Sequence, residues 1–130
     1  MIRIALCDDD PHFLQHLHQF VDKWFIEHKI VSSCTEYTSG VVLRDAQEAT
    51  SFDIFFLDIE MPKIGGMQLA KQIRESHPDS VIIFLTSHDE FAPDGYRVQA
   101  LRYLSKHTWK KYLSEALSAA MVQLEKQETG

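Results

Sequence analysis

Five short apolar runs alternate with longer amphipathic stretches, and this alternation constrains the fold more than any other feature of the sequence. The runs cover residues 2–7, 33–37, 52–57, 81–85 and 100–104. Apolar runs of this length without polar alternation are typical of parallel strands that are covered on both faces. The stretches with helical spacing cover residues 11–28, 40–48, 66–77 and 109–127. This order predicts one α/β domain over residues 1–130, a doubly wound five-stranded parallel sheet with helices on both faces.

Local helix signals agree with this pattern except between the fourth and fifth strands. Asp10 is a good N-cap and Pro11 a good first residue for the first helix. The stretch "FAPDGY", in contrast, puts Pro93 and Gly95 where a helix is needed. Because both residue types destabilise helix interiors, we predict a short, distorted or mobile helix over residues 89–98.

Charge and composition exclude several classes of protein. A net charge of −6 gives no basic surface for nucleic acid, so any DNA contact requires a part of the protein outside this sequence. Cys7 and Cys34 have no metal-type spacing and are predicted to be reduced, buried thiols. No apolar run approaches membrane-spanning length and the N-terminus has no leader pattern, so we predict a cytoplasmic protein with no membrane partner.

Polar side chains follow four of the predicted strands, at the edge where open parallel sheets bind their ligands. They are Asp8, Asp9 and Asp10 after the first strand, Asp58 after the third, Thr86 and Ser87 after the fourth, and Ser105 and Lys106 after the fifth. Clustered carboxylates repel one another unless a cation neutralises them. Oxygen-only ligands suit Mg²⁺, so these residues predict a magnesium-dependent phosphoryl site. An aspartate can act as a nucleophile towards phosphorus, and Asp58, alone after the most apolar strand, is the natural acceptor.

Four segments resemble the receiver domain of two-component response regulators: "IALCDDD", "FDIFFLDIEMPKIGG", "VIIFLTS" and "ALRYLSK". They occur in the family's order and at its usual spacing, and the resemblance covers nearly the whole chain. It implies a flavodoxin-like receiver fold with strand order 2-1-3-4-5. It also implies a phosphorylation-controlled signalling module, with a sensor histidine kinase as the phosphoryl donor and Mg²⁺ as the cofactor.

The resemblance assigns a role to each acidic residue of the predicted site. Asp58 would be the phospho-acceptor and a metal ligand. Asp9 would bind Mg²⁺ directly, and Asp8 would bind it mainly through water. The backbone carbonyl of Glu60 would be a further metal ligand.

The resemblance also assigns the residues that would respond to phosphorylation. Thr86 would hydrogen-bond the phosphoryl group, Lys106 would pair with it, and Ser87 would contact it. Tyr103 matches the aromatic switch position, which turns inward when Thr86 moves towards the phosphate. This movement would switch the face that runs from the fourth strand to the last helix. The side chains of Glu60 and His88 would tune the access of water to the acyl phosphate.

Within the family, "CDDD" and "FLTSH" resemble regulators whose output is a LytTR-type DNA-binding domain. Such an output domain, absent from this chain, would control transcription and would make any DNA contact. Whether the chain forms a homodimer on phosphorylation stays open.

The residue after Lys106 departs from the family's pattern. The family normally has proline there, joined by a cis peptide bond that aims the lysine at the site, whereas this chain has His107. A cis bond without proline costs about 3–4 kcal/mol. We therefore predict a trans bond between residues 106 and 107, with Lys106 displaced or mobile in the unphosphorylated state.

Two other functions compete with phosphorylation-controlled signalling. A pseudo-receiver would bind partners without phosphorylation, and both His107 and the Pro93–Gly95 disruption favour it. A phosphohydrolase of the haloacid-dehalogenase type also uses an aspartyl nucleophile, but it carries a second aspartate two residues later on an early strand. Here Glu60 holds that place and the nucleophile follows the third strand. Flavodoxin-like FMN binding is disfavoured because the three carboxylates after the first strand would repel a phosphate.

Several of the residues also have ordinary structural explanations. Asp10 is explained by its capping role alone. His12 and His16 have the i,i+4 spacing of a metal pair, but they lie on the polar face of the first helix without a third ligand, so a metal role is disfavoured. Tyr103 is equally well explained as a half-buried core residue, and His88 as a solvated loop residue.

Overall fold

The fold is built on a single sheet of five parallel strands in the order β2-β1-β3-β4-β5. The computed structural model describes residues 1–87 and 98–129. The strands are β1 (Ile2–Cys7), β2 (Ser32–Tyr37), β3 (Ile54–Asp58), β4 (Val81–Thr86) and β5 (Arg102–Ser105). The described helices are α1 (Pro11–Glu27), α2 (Gly40–Ala49), α3 (Gly66–Ser76) and α4 (Trp109–Thr129). The predicted doubly wound α/β fold and its strand order are confirmed.

Two apolar cores lie on opposite faces of the sheet, because successive strand residues point to opposite sides. Ile4 and Leu6 belong to the core under α1 and α4, whereas Ala5 and Cys7 belong to the core under α2 and α3. Every residue of β3 and β4 is buried. Burial on both faces explains why these strands read as continuous apolar runs, and why the edge strand β2 gives a weaker signal.

Local signals place the helix ends within two residues of their predicted positions. The Asp10 side chain accepts hydrogen bonds from the backbone N–H groups of His12 and Phe13, and Pro11 is the first helical residue. The last helix continues to Thr129, beyond the predicted residue 127. The prediction of a distorted helix over residues 89–98 concerns a segment of which residues 89–97 lie outside the described part of the chain. None of the described helices combines the length and the apolar composition that crossing a membrane requires.

The Arg74 side chain ties the end of α3 to the chain before β4 and before β5. Its Nη1 donates to the carbonyls of Pro78 at 2.9 Å and Ser80 at 2.7 Å, and its Nε donates to Val98 at 2.8 Å. Burial lowers the pKa of this guanidinium, and the charge of Asp79 opposes that effect. The guanidinium thus donates hydrogen bonds to carbonyls that the turns leave unpaired. It also fixes the position of Val98, the first described residue after residues 88–97.

Candidate functional site

The carboxyl ends of four strands bring the predicted site residues to one edge of the sheet. Asp8 follows β1, Asp58 ends β3, Thr86 ends β4 and Lys106 follows β5. Asp58 pairs with Leu85 in the β3–β4 register, and Thr86 pairs with Ser105 in the β4–β5 register. The backbone N–H of Lys106 donates to the carbonyl of Thr86 at 2.8 Å, which extends the β4–β5 pairing by one residue.

Lys106 contacts both buried carboxylates at this edge. Its Nζ lies 2.6 Å from Oδ2 of Asp8 and 3.2 Å from Oδ2 of Asp58. The same ammonium lies 4.7 Å from the centre of the Phe13 ring, a cation–π distance. The site is therefore a triad of two carboxylates and one lysine, closed on one side by an aromatic ring.

The prediction for Lys106 was half right. The bond between Lys106 and His107 is trans, as predicted. The predicted displacement of Lys106 was wrong, because the side chain reaches Asp58 without a cis bond. Its flexible four-carbon stem supplies the reach, and the bond to the Thr86 carbonyl together with the Phe13 ring hold its direction. The mobility of Lys106, which was predicted as the alternative to displacement, stays a prediction.

The acidic residues fill different positions around the triad. Asp8 is fully buried and its Oδ1 accepts the backbone N–H of Asp10 at 2.9 Å, whereas Asp9 is exposed. The Asp8 Oδ2 atom forms an ion pair with the Lys106 ammonium at 2.6 Å. Ligand oxygens of Asp8, Asp9 and Asp58 all lie within 4.8 Å of one another. This oxygen-only donor set fits a hard divalent cation.

Burial shifts the ionisation of the triad. Burial first, and then the charge of Asp8, raise the pKa of Asp58 to about 6, although Lys106 and the backbone N–H of Glu60 oppose the shift. Burial also raises the pKa of Asp8, again against Lys106. Burial alone would lower the pKa of Lys106, but its contacts with Asp8 and Asp58 outweigh that effect and raise it. A single ammonium thus leaves the two carboxylates undercompensated.

Asp58→Asn is expected to stabilise the metal-free protein by about 2–3 kcal/mol above about pH 7. The folded pKa of Asp58 lies above its unfolded value, so wild-type stability falls as the pH rises from about 4 through about 6. The asparagine carries no charge to bury, and Lys106 keeps Asp8 as its partner. The advantage of the variant should therefore shrink in acid. Urea unfolding at a series of pH values, with a chelator present, measures it.

The control for this measurement is Asp45→Asn, which removes an exposed carboxylate paired with its neighbour Arg44. A surface pair of this kind contributes little, so stability should change by less than about 0.5 kcal/mol at any pH. An Asp58→Asn advantage that does not decrease in acid would contradict the burial argument.

The start of α3 packs directly on the backbone of Asp58 and Ile59. The backbone N–H of Gly66 donates to the carbonyl of Ile59 at 2.9 Å, and a Cβ at position 66 would lie 2.1 Å from the carbonyl oxygen of Asp58. Lys63, in the loop between β3 and α3, has a positive φ of 70°. The loop is therefore folded tightly against Asp58, and only glycine fits at position 66.

The remaining predicted residues lie around the triad in different environments. Thr86 is buried and Ser87 exposed at the end of β4. The Glu60 backbone N–H donates to Asp58 Oδ1 at 3.2 Å, while the residue as a whole is exposed. Tyr103 is half buried, with its ring 5.2 Å from that of Phe84. Their roles towards metal and phosphoryl group stay predictions.

The remaining histidines and cysteines that the sequence analysis considered lie in different environments. Among residues 1–87 and 98–129, no group of three ligand-type side chains includes His12 or His16. Both cysteines are free thiols, but only Cys7 is fully buried, whereas Cys34 is partly exposed. His88 lies outside the described residues.

Phe13 is the site residue that the sequence analysis missed. Its position on the apolar stripe of α1 indicated only a core role, but its ring lies against the ammonium of Lys106. The two residues are far apart in the chain, and their contact depends on how α1 packs beside the end of β5. No local pattern in the sequence signals it.

Clustered carboxylates and a lysine lie at the carboxyl edge of this open parallel sheet, which is where doubly wound α/β folds bind their ligands. The sequence model of the family described as the response regulator receiver domain matches residues 4–118. The chain therefore belongs to the response regulator receiver domain family.

Curated relatives agree with this assignment. The chain is 31% identical over 119 residues to the positive alginate biosynthesis regulatory protein of Pseudomonas aeruginosa, covering 92% of this chain and 47% of the relative. It is 29% identical over 128 residues to the transcriptional regulatory protein BtsR of Escherichia coli, covering 98% of this chain and 52% of the relative. The chain thus spans about half the length of these two relatives.

Solved structures match over nearly the whole chain. The receiver domain of AraT, a response regulator from Geobacillus stearothermophilus, superimposes with a TM-score of 0.85 at 25% identity, over 98% of both chains. The response regulatory domain of mrkE from Klebsiella pneumoniae gives the same TM-score at 19% identity, over 96% of this chain and 99% of that chain. At this identity, the second comparison supports the fold alone.

Proposed function

We propose that residues 1–130 form one receiver domain in which a sensor histidine kinase phosphorylates Asp58 with Mg²⁺. The observation that carries the proposal is the convergence of Asp8, Asp58 and Lys106 within 3.2 Å contacts at the carboxyl edge of the sheet. A module that binds its partners without phosphorylation would gain nothing from two buried carboxylates whose charges a single ammonium does not fully neutralise.

The chemistry follows from the geometry of Asp58. A carboxylate oxygen attacks the phosphorus of a phosphohistidine, a P–O bond forms, the P–N bond breaks, and the histidine leaves with the electron pair. The Glu60 backbone N–H holds Oδ1 and the Lys106 ammonium holds Oδ2, so the carboxylate has a fixed orientation. The ammonium then lies next to the phosphoryl oxygens and stabilises their charge.

The donor set fits Mg²⁺. Asp8, Asp9 and Asp58 would hold the ion, with the backbone carbonyl of Glu60 as a further ligand. Mg²⁺ supplies positive charge that neutralises the carboxylates and the transferring phosphoryl group. The raised pKa of Asp58 supports this assignment, because burial and the charge of Asp8 outweigh the opposing effect of Lys106.

The signal would leave through the face that runs from β4 to α4. Thr86 would hydrogen-bond the phosphoryl group, with Ser87 beside it, and Tyr103 would turn inward as Thr86 moves. The packing of Tyr103 on Phe84, the β4 residue two before Thr86, supports this coupling. An output domain outside this chain, of the LytTR type, would convert the switch into control of transcription in the cytoplasm. The names of the two curated relatives support a regulatory output.

Phosphorylation-independent binding is the weaker alternative. The first argument for this alternative was His107, which replaces the family's proline. Lys106 nevertheless reaches Asp58 without that proline. The second argument, Pro93 and Gly95, lies outside the described residues.

Incubation with acetyl phosphate and Mg²⁺, followed by intact-mass spectrometry, tests the proposal. We expect a mass gain of one phosphoryl group that is lost in Asp58→Asn and in the presence of a chelator. Asp45→Asn, on the exposed face of α2, should retain the gain. A wild-type protein that gains no mass, or an Asp58→Asn variant that still does, would overturn the proposal.

A further inference from the structure

A second cluster of ligand-type side chains lies between α1 and the edge strand β2, and it shares no residue with the acidic site. His18 and Asp22 are four residues apart on α1, so they lie on one face of the helix. Cys34 and Glu36 are two residues apart on β2, so they point to the same side of the sheet. The packing of α1 over β2 brings the two pairs together.

The contacts within this cluster centre on the imidazole of His18. Its Nδ1 lies 2.6 Å from Oε2 of Glu36, and its Nε2 lies 3.1 Å from Oδ2 of Asp22. A nitrogen of His18, the thiol sulfur of Cys34 and a carboxylate oxygen of Asp22 all lie within 4.8 Å of one another. Nitrogen, sulfur and oxygen atoms of three side chains thus lie close enough together to bind one ion.

The imidazole of His18 lies between two carboxylates. A neutral imidazole has one N–H, which can serve only one of the two carboxylates beside it. The other nitrogen then directs its lone pair at a carboxylate oxygen, and this arrangement is repulsive unless a proton or a metal ion lies between them. Burial, followed by the charge of Asp22 and a hydrogen bond to it, raises the pKa of the Cys34 thiol, so its sulfur adds no negative charge to the cluster in the metal-free protein.

We propose that His18, Asp22 and Cys34 bind a divalent transition-metal ion of the zinc type. Nε2 of His18 and Oδ2 of Asp22 are ligands, and the sulfur of Cys34 binds after losing its proton to solvent. Glu36 accepts the Nδ1–H of His18, which fixes the tautomer that presents Nε2 to the metal. A water molecule completes the tetrahedron.

The donor set selects the metal class. Sulfur and imidazole ligands favour Zn²⁺ and related ions, whereas Mg²⁺ prefers oxygen alone, as in the acidic site. A cleft lined by Gln15, His18, Gln19, Asp22 and Glu36 leaves the cluster open to solvent. An ion bound here would fasten α1 to the edge strand, because it takes ligands from both elements.

Titration of the protein with Co²⁺, a spectroscopic substitute for Zn²⁺, tests the proposal. We expect a thiolate-to-Co²⁺ charge-transfer band in the near ultraviolet that saturates at one equivalent and disappears when Zn²⁺ is added. Excess Mg²⁺ should leave the band unchanged. Cys34→Ser and His18→Gln should abolish it, and Glu36→Gln should weaken binding roughly ten- to a hundredfold.

The matched control is His16→Gln, an exposed histidine on the same helix that is outside the cluster. It should keep the band, as should Asp58→Asn, since the acidic site is separate. The proposal is overturned if the wild type gives no thiolate band at equimolar Co²⁺, or if the band survives Cys34→Ser. The wild-type spectrum decides the matter even where a variant fails to fold.

Discussion

Phosphorylation of Asp58 by acetyl phosphate should be about a hundredfold slower in Lys106→Met than in the wild type. The Lys106 ammonium donates to Oδ2 of Asp58, next to the position of the incoming phosphoryl oxygens. Methionine has a similar length but no charge, so it removes the electrostatic stabilisation of the transferring group. Rates from quenched time courses and intact-mass spectrometry measure the effect.

The matched control is Lys110→Met, which removes a lysine packed over Phe20 and Trp109 without contact to the acidic site. Its rate should stay within about threefold of the wild type. A slower reaction could result from lost charge stabilisation or from lost Mg²⁺ binding, and a measurement of Mg²⁺ affinity distinguishes the two. Lys106→Met should bind Mg²⁺ at least as tightly as the wild type, because the variant lacks the competing ammonium. Unchanged kinetics in Lys106→Met would show that the ammonium has no part in the transfer.

Gly66→Ala should destabilise the protein by about 3 kcal/mol and slow phosphorylation as well. The added methyl group would lie 2.1 Å from the carbonyl oxygen of Asp58, so either α3 or the acceptor loop has to move. A side-chain shift cannot relieve a clash with backbone. Chemical denaturation gives the loss of stability, and the acetyl phosphate assay gives the loss of acceptor geometry.

Gly65→Ala is the control one residue earlier. A Cβ there would lie 3.0 Å from the carbonyl of Ile59, and the φ of −78° suits alanine. Its cost should be about 1 kcal/mol or less, from the tight contact and the weaker N-cap. Equal losses for the two variants would mean that the close approach to Asp58 does not set the requirement for glycine.

The sequence predicted the sheet and the convergence of the acidic residues because both follow from local patterns. Asp58 ends an apolar run and Asp8 follows another, so parallel pairing brings them to the same edge. Asp10 and Pro11 mark the start of α1 through capping chemistry that needs no tertiary contact.

The sequence did not predict the contacts between side chains of distant elements. The missing proline after Lys106 suggested a displaced lysine, but a long side chain guided by Phe13 reaches the carboxylates. His12 and His16 have metal-pair spacing, whereas the side chain of His18 contacts Asp22 on α1 and Glu36 on β2. The partners of His18 depend on the packing of α1 over the sheet, which periodicity alone does not specify.

The ion pair between Lys106 and Asp8 would make the proposed metal uptake an exchange instead of a simple addition. In the metal-free protein the ammonium already acts as the counter-ion of this buried carboxylate. A divalent ion that takes the same oxygen has to displace it, so the measured affinity is the difference between the attractions of two cations. Metal affinity should therefore change without substitution of a carboxylate. The hydrogen bond to the Thr86 carbonyl and the contact with the Phe13 ring hold Lys106 in place, so they determine how easily the ammonium is displaced.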